Sequence, residues 1–208
     1  RRQKGSMDLD YAEGKLALIE QQSEKMGNII NHLRMFSRID KERMERFDLE
    51  PVISRSIELV REQFDVDDIQ IDAKLPGRPL IVRGHPNQLE HVLLNLLNNA
   101  RDAIRTRRKQ VSDMAKAGKV DVEVATGNSG APVTIRVTDN GMGIPSKDLG
   151  QIFDPFFTTK AVGEGTGLGL SISQGIIDAM GGRLSATNVT DGACFEIRLP
   201  QIAGDENS

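Results

Sequence analysis

The chain is poor in several things. Its 208 residues include one cysteine, Cys194, no tryptophan and only 4% aromatic residues. A single cysteine excludes an intrachain disulfide and a cysteine-rich zinc site, and it fits a reducing, cytosolic compartment. So few rings leave little on which bases could stack. A net charge of −3 adds no general attraction to phosphate backbones, so no nucleic-acid partner is expected. No apolar run reaches transmembrane length and no signal peptide opens the chain, so no membrane contact is expected of it. The start, Arg1-Arg2-Gln3-Lys4, reads as a cut through a longer protein.

What is present suits an ordinary folded domain. Hydrophobic residues make up 38% and charged residues 27%. That is enough for one domain with a substantial core and a smaller element beside it. Residues 9 to about 39 carry a heptad. Leu9, Leu16, Ser23 and Ile30 share one position, and Ala12, Ile19, Met26 and Leu33 share the other. Only Ser23 breaks the seam, so a bundle or coiled-coil helix is expected. Ile29 and Phe36 widen the stripe toward a four-helix bundle. Such a helix needs a partner to cover it, or else it packs on the domain behind.

From about Phe47 the pattern changes. Residues 51–63 read as a helix with Pro51 in its first turn. Residues 69–76 and 79–84 read as short strands, and Pro86 starts a long helix. KVDVEVATG and APVTIRVTDNG read as a strand pair, SKDLGQIF as a short helix, and 168–180 as another helix. RLSATN and ACFEIRLP read as two closing strands. Without regular βαβ alternation this is an α+β, two-layer sandwich, with a mostly antiparallel sheet covered by helices on one face. The basic run at 105–109 reads as a solvated face. The acidic tail after Pro200 reads as frayed.

Four segments carry chemistry. In HVLLNLLNNARDAI (91–104), Asn95 and Asn99 stack one turn apart. Val92, Leu93, Leu96 and Leu97 would hold that helix to the sheet. The two amide oxygens could serve a hard, hydrated cation such as magnesium carried by a nucleotide, or simply cap backbone. In VTDNGMGI (137–144) a strand ends in Asp139, whose ionised form accepts from an exocyclic amino group such as that of adenine. Asp-Asn-Gly is equally a good turn. FDPFFTTK (153–160) places three Phe residues in a loop, beside Thr158, Thr159 and Lys160, which suit phosphate. GEGTGLGLSIS (163–173) runs bare backbone amides into a helix start, which favours anions. It is neither a Walker A loop nor a dinucleotide fingerprint.

Each signal is weak by itself; their order is not. Together they resemble the N, G1, F and G2 boxes of sensor histidine kinases, in the wider group that includes gyrase, Hsp90 and MutL ATPases. The resemblance covers about 50–200. Residues 9–39, with QQSEKMGNIINHLRMFSR, resemble the second helix of the kinase dimerisation and phosphotransfer domain.

The resemblance implies a Bergerat-type ATP-binding fold preceded by a long bundle helix. It divides the chain into a partial helical region (1–45), a catalytic ATP-binding domain (46–200) and a tail (201–208). Asn99 would coordinate Mg²⁺ of bound ATP, with Asn95 assisting at the phosphates. Asp139 would take the adenine amino group, with Gly141 and Gly143 letting the base approach and Ile144 also in the ATP site. Residues from about 145 to 166 would form a lid. Asp102, Phe157, Thr158, Thr159, Lys160, Gly165, Thr166, Gly167, Leu168, Gly169 and Leu170 complete the implied ATP site. A response regulator receiver domain and a second copy, through the helical region, are the implied partners.

One position bears on the reaction. Related ATPases carry a Glu one turn before the magnesium Asn as general base for water. Here that position is Asn95, which takes up no proton. Glu90 lies about 900° around the helix from Asn99, on the other side. Phosphoryl transfer is therefore expected rather than hydrolysis. The family phosphorylates a His usually followed by Glu or Asp. His32, His85 and His91 lack that neighbour, so the acceptor is expected upstream of Arg1. A hydrolytic ATPase of the same fold, a degenerate scaffold and, more remotely, a serine or mitochondrial-type protein kinase are the alternatives.

Overall fold

The computed structural model describes residues 44–110, 117–126, 131–160 and 165–202, with Tyr11 and Lys15. The expected heptad helix, the turn within 127–130 and the end of the tail lie outside the described residues.

Strand β1 (Glu45–Asp48) leads directly into helix α1 (Leu49–Val66). Asp48 caps the helix: its carboxylate accepts from Glu50 N at 3.4 Å and from Leu80 N at 2.9 Å. Pro51 follows in the first turn, as read from the sequence. The helix ends at Asp67 and Asp68, the latter at φ 52°. The guanidinium of Arg101 lies 2.5 Å from the Asp67 carboxylate, and Arg108 donates to the Asp68 carbonyl at 2.7 Å. Arg107 donates to the carbonyl of Asn140. The expected solvated basic face is thus corrected in part. Arg107 and Arg108 pin backbone carbonyls left open at chain turns, and Arg105 lies 3.8 Å from Asp67.

Strands β2 (Ile69–Lys74) and β3 (Ile81–Gly84) precede α2 (Pro86–Gln110), which does begin at Pro86. Then come β4 (Gly118–Thr126), β5 (Val133–Asp139), α3 (Gly169–Ala179), β6 (Arg183–Val189) and β7 (Gly192–Leu199). Five strands form one sheet in the order β2-β4-β5-β7-β6. Among the described residues β2 and β4 pair in parallel, and the other pairs of this sheet are antiparallel. β1 and β3 make a separate antiparallel pair. This is the expected α+β two-layer sandwich, with helices on one face of a mostly antiparallel sheet.

The core lies between the layers. Val120, Val122, Ile135, Val137 and Ile197 point inward from alternate strand positions and are buried. Leu89, Val92, Leu93, Leu96, Leu97, Ala100 and Ile104 return along one face of α2 at helical spacing and are also buried. That face fixes the opposite face of α2 toward a cavity.

Two further expectations are corrected, and one strand is added. SKDLGQIF is not a helix. It is a run of turns with 1→4 bonds such as Gln151 N to Asp148 O at 2.8 Å. Gly150 weakens a helix there, and Pro155 stops one. β1 is a strand that the sequence reading missed. The chain past Pro200 continues in register: Gln201 bridges to Val82, and Ile202 N donates to Ile81 O at 3.0 Å. An open edge on β3 takes those backbone groups.

Candidate functional site

A cavity of about 760 Å³ opens between α2, the end of β5, the loop after it and the start of α3. Its α2 wall is one helix face at three- and four-residue steps, including His91, Asn95, Asn98, Asn99, Asp102 and Thr106. Asp139 and Phe195 lie at the base. Met142, Gly143, Ile144 and Pro145 form one side. Phe157, Thr158, Thr159 and Lys160 form another, and Gly165, Thr166, Gly167, Gly169, Leu170 and Ser173 complete it.

Asp139 ends β5 and is 2% exposed. Its Oδ1 accepts from Gly141 N at 2.7 Å. Burial pushes the carboxyl up to about 6, against hydrogen bonds from the backbone of Gly141 and Ala193 that favour the ionised form. Gly192, at φ 113°, lies directly over this strand end; an added Cβ would stand 2.0 Å from the Asp139 carbonyl oxygen. Only glycine fits there.

Asn95 faces α3. Its Nδ2 donates to Ser173 Oγ at 3.0 Å, and a Cβ on Gly169 would meet its Oδ1 at 2.4 Å. Ser173 is 2% exposed. Asn99, partly exposed, lies one turn further along the same wall. Glu90 points to the other side of the helix and pairs with Arg55 of α1 at 3.4 Å. It is not available to the cavity as a base.

The Phe-rich loop divides its rings. Phe153 and Phe157 pack against the core, whereas Phe156 is 73% exposed and sits at φ 69°. Phe156 N donates to Gly167 O at 2.8 Å, and a Cβ on Gly167 would strike the Phe156 carbonyl. The loop is thereby tied to the glycine-rich segment. Lys160 Nζ reaches Asp102 across the opening.

Of the residues implied by resemblance, Gly141 and Leu168 do not reach the wall. Gly141 is buried against Ala103, where a Cβ would come within 2.7 Å, and Leu168 joins the core. The sequence reading missed His91, Asn98, Thr106 and Ser173. The first three were open to extension of the Asn95–Asn99 face by helical period. Ser173 had no local signal.

The layered fold, the glycine-rich helix start and the buried Asp at a strand end define a nucleotide-binding class of site. The chain belongs to the family described as histidine kinase-, DNA gyrase B-, and HSP90-like ATPase, which matches residues 84–203. It is similar to the two-component sensor PprA of Pseudomonas aeruginosa, 38% identical over 96% of this chain and 21% of PprA. Among solved structures it is similar to the catalytic domain of histidine kinase ThkA in a nucleotide-free form. There the identity is 28% and the TM-score 0.64, over 77% of this chain and 99% of that one. A ThkA complex with the response regulator protein TrrA shares the fold, at 24% identity and TM-score 0.68, over 96% of this chain and 54% of that one. The chain thus spans about a fifth of the length of PprA. Family membership implies ATP use.

Proposed function

We propose that this chain is the ATP-binding catalytic portion of a sensor histidine kinase. It passes the γ-phosphate of ATP to a histidine outside the catalytic domain and so feeds a response regulator receiver domain. Residues 46–200 form that domain, and 1–45 belong to a helical region through which the full-length protein pairs with a second copy. The catalytic portion works on the cytoplasmic side, where ATP is supplied. Among the described residues no helix is long and apolar enough to cross a membrane.

The observation that carries this reading is the side chain one turn before Asn99. It is an amide, Asn95, engaged with Ser173, while the nearby Glu90 is turned away toward Arg55. Water has no carboxylate at that turn to take its proton. Transfer to a positioned nucleophile needs mainly alignment and charge stabilisation.

Asp139 accepts from the adenine amino group, and Gly143 and Ile144 flank the base. Thr158, Thr159, Lys160 and the amides of Gly165, Gly167 and Gly169 hold the phosphates. Magnesium arriving with ATP would be held by Asn99, with Asn95 assisting, and would neutralise charge on the phosphates. The donors fit that ion. They are amide oxygens one helical turn apart on the cavity wall. Such a site suits a cation that keeps most of its waters.

Supplying a first bundle helix with an acceptor His in trans tests the reading. Mg-ATP should phosphorylate that helix, with little free phosphate released. Steady phosphate release that collapses on Asn99→Ala would favour a hydrolase instead. Calorimetry without a binding heat at millimolar Mg-ATP would favour a scaffold.

A further inference from the structure

We propose that Asn188 is a positioning residue for the adenine end of this cavity; the inference rests on the ATP reading above. Asn188 lies on β6, is exposed and does not line the cavity. Its Oδ1 accepts from Ile144 N at 2.8 Å, and its Nδ2 donates to Ile144 O at 2.7 Å. Both backbone groups of one loop residue are thereby paired to one side chain. Only one orientation of the amide satisfies both, because its oxygen cannot donate and its nitrogen cannot accept.

The position of this clamp gives it a task. The segment that follows Asp139 is held at its near end by Gly141 N on the Asp139 carboxylate. Asn188 holds its far end at Ile144. Between them Gly143 adopts φ 71°, and a Cβ there would lie 3.1 Å from Asn188 Oδ1. Asn188 also pairs in register with Ala193 of β7, whose backbone hydrogen-bonds Asp139. The circuit Asp139–Ala193–Asn188–Ile144 therefore closes around the base pocket. Met142, Gly143 and Ile144 line the cavity on the stretch this circuit encloses. Without Asn188, the two backbone groups of Ile144 turn to water and the loop samples other positions. Preorganisation of the pocket is lost, although no residue that touches the base has changed.

The experiment measures Mg-ATP, Mg-GTP and inorganic tripolyphosphate affinities and the melting temperature of the wild type, Asn188→Ala, Asn188→Asp and Asp139→Asn. For Asn188→Ala, ATP affinity should fall roughly three- to tenfold, the scale of one or two lost hydrogen bonds. The ATP preference over GTP should narrow and tripolyphosphate binding should stay unchanged. The melting temperature should stay within about 2 °C, because the site is exposed. Asn188→Asp keeps the acceptor for Ile144 N but sets a carboxylate oxygen against Ile144 O, so it should weaken ATP binding at least as much as Asn188→Ala. If Asn188→Ala leaves ATP affinity and base preference unchanged while Asp139→Asn impairs them, the inference is overturned and the ATP reading stands. A parallel fall in all three affinities and in melting temperature would mean a merely structural role and would also overturn it. A wild type that binds no ATP overturns both.

Discussion

Lys160 Nζ lies 2.5 Å from Asp102 Oδ2, joining the Phe-rich loop to α2 across the mouth of the cavity. Both side chains are partly exposed, at 35% and 43%. A pair so open to water contributes roughly 0.2–1 kcal/mol. It is weak enough for a phosphate to take the lysine from it. Asp102→Asn should free Lys160 and remove a negative charge from the path of the triphosphate. ATP affinity should rise about two- to fivefold at low salt, whereas Lys160→Met should lower it. Calorimetry at two ionic strengths checks both; weaker binding by Asp102→Asn would mean that the carboxylate itself serves the nucleotide.

Asp139 couples stability and binding to pH in opposite directions. Its pKa is about 6 in the folded chain against an ordinary 3.8, because burial disfavours the charge. The folded state therefore holds a proton more tightly than the unfolded state does between those values. The carboxyl's contribution to stability is fully present below pH 3.8 and is lost as pH rises through 6. Relative to Asp139→Asn, the ATP-free wild type should gain about 1–1.5 kcal/mol between pH 7 and pH 5 in urea melts. ATP affinity should fall over the same interval, since the protonated acid is a poorer acceptor for the adenine amino group. At pH 7, Asp139→Asn should weaken ATP binding strongly by placing a donor against a donor.

Gly169 lies against Asn95. In Gly169→Ala the new methyl would press on Asn95 Oδ1 at 2.4 Å. The amide can yield, so the stability cost should stay under about 1.5 kcal/mol. Moving it disturbs the bond to Ser173 and the approach to the phosphates. Mg-ATP affinity should drop about tenfold or more, the scale of one displaced charge-assisted contact. A fluorescent-nucleotide titration with and without Mg²⁺ would measure this; an equal loss in both arms would leave Asn95 without a part in holding the metal.

Leu96, on α2, is fully buried in the core. Leu96→Ala should cost about 2–5 kcal/mol from lost transfer free energy and the cavity left behind. Thermal and urea unfolding should both report it. A loss below 1 kcal/mol would mean that the layer beneath the nucleotide wall repacks freely.

Much of this organisation was legible in the chain itself. The spacing of Leu89, Val92, Leu93, Leu96 and Leu97 determined which side of α2 is buried, because a helix repeats every three to four residues. By the same period Asn95 and Asn99 had to share another side. Alternation in 119–126 and 133–139 marked the central strands and put Asp139 at a strand end. The turn structure of 146–153 was not legible, since its apolar spacing also fits a short helix. Gly150 and Pro155 were the signals against a helix that apolar spacing alone does not weigh.

Sequence alone determined the periodic elements and the residue types offered to the cavity, because periodicity and hydrogen-bonding chemistry are local properties. Tertiary structure decided which of those groups meet. It set Ser173 on Asn95, Glu90 on Arg55, Lys160 on Asp102, and Asn188 on both backbone groups of Ile144. Each pair joins residues at least 35 positions apart. No local preference encodes such a contact; it exists only once the sheet and helices have packed and brought the two partners together.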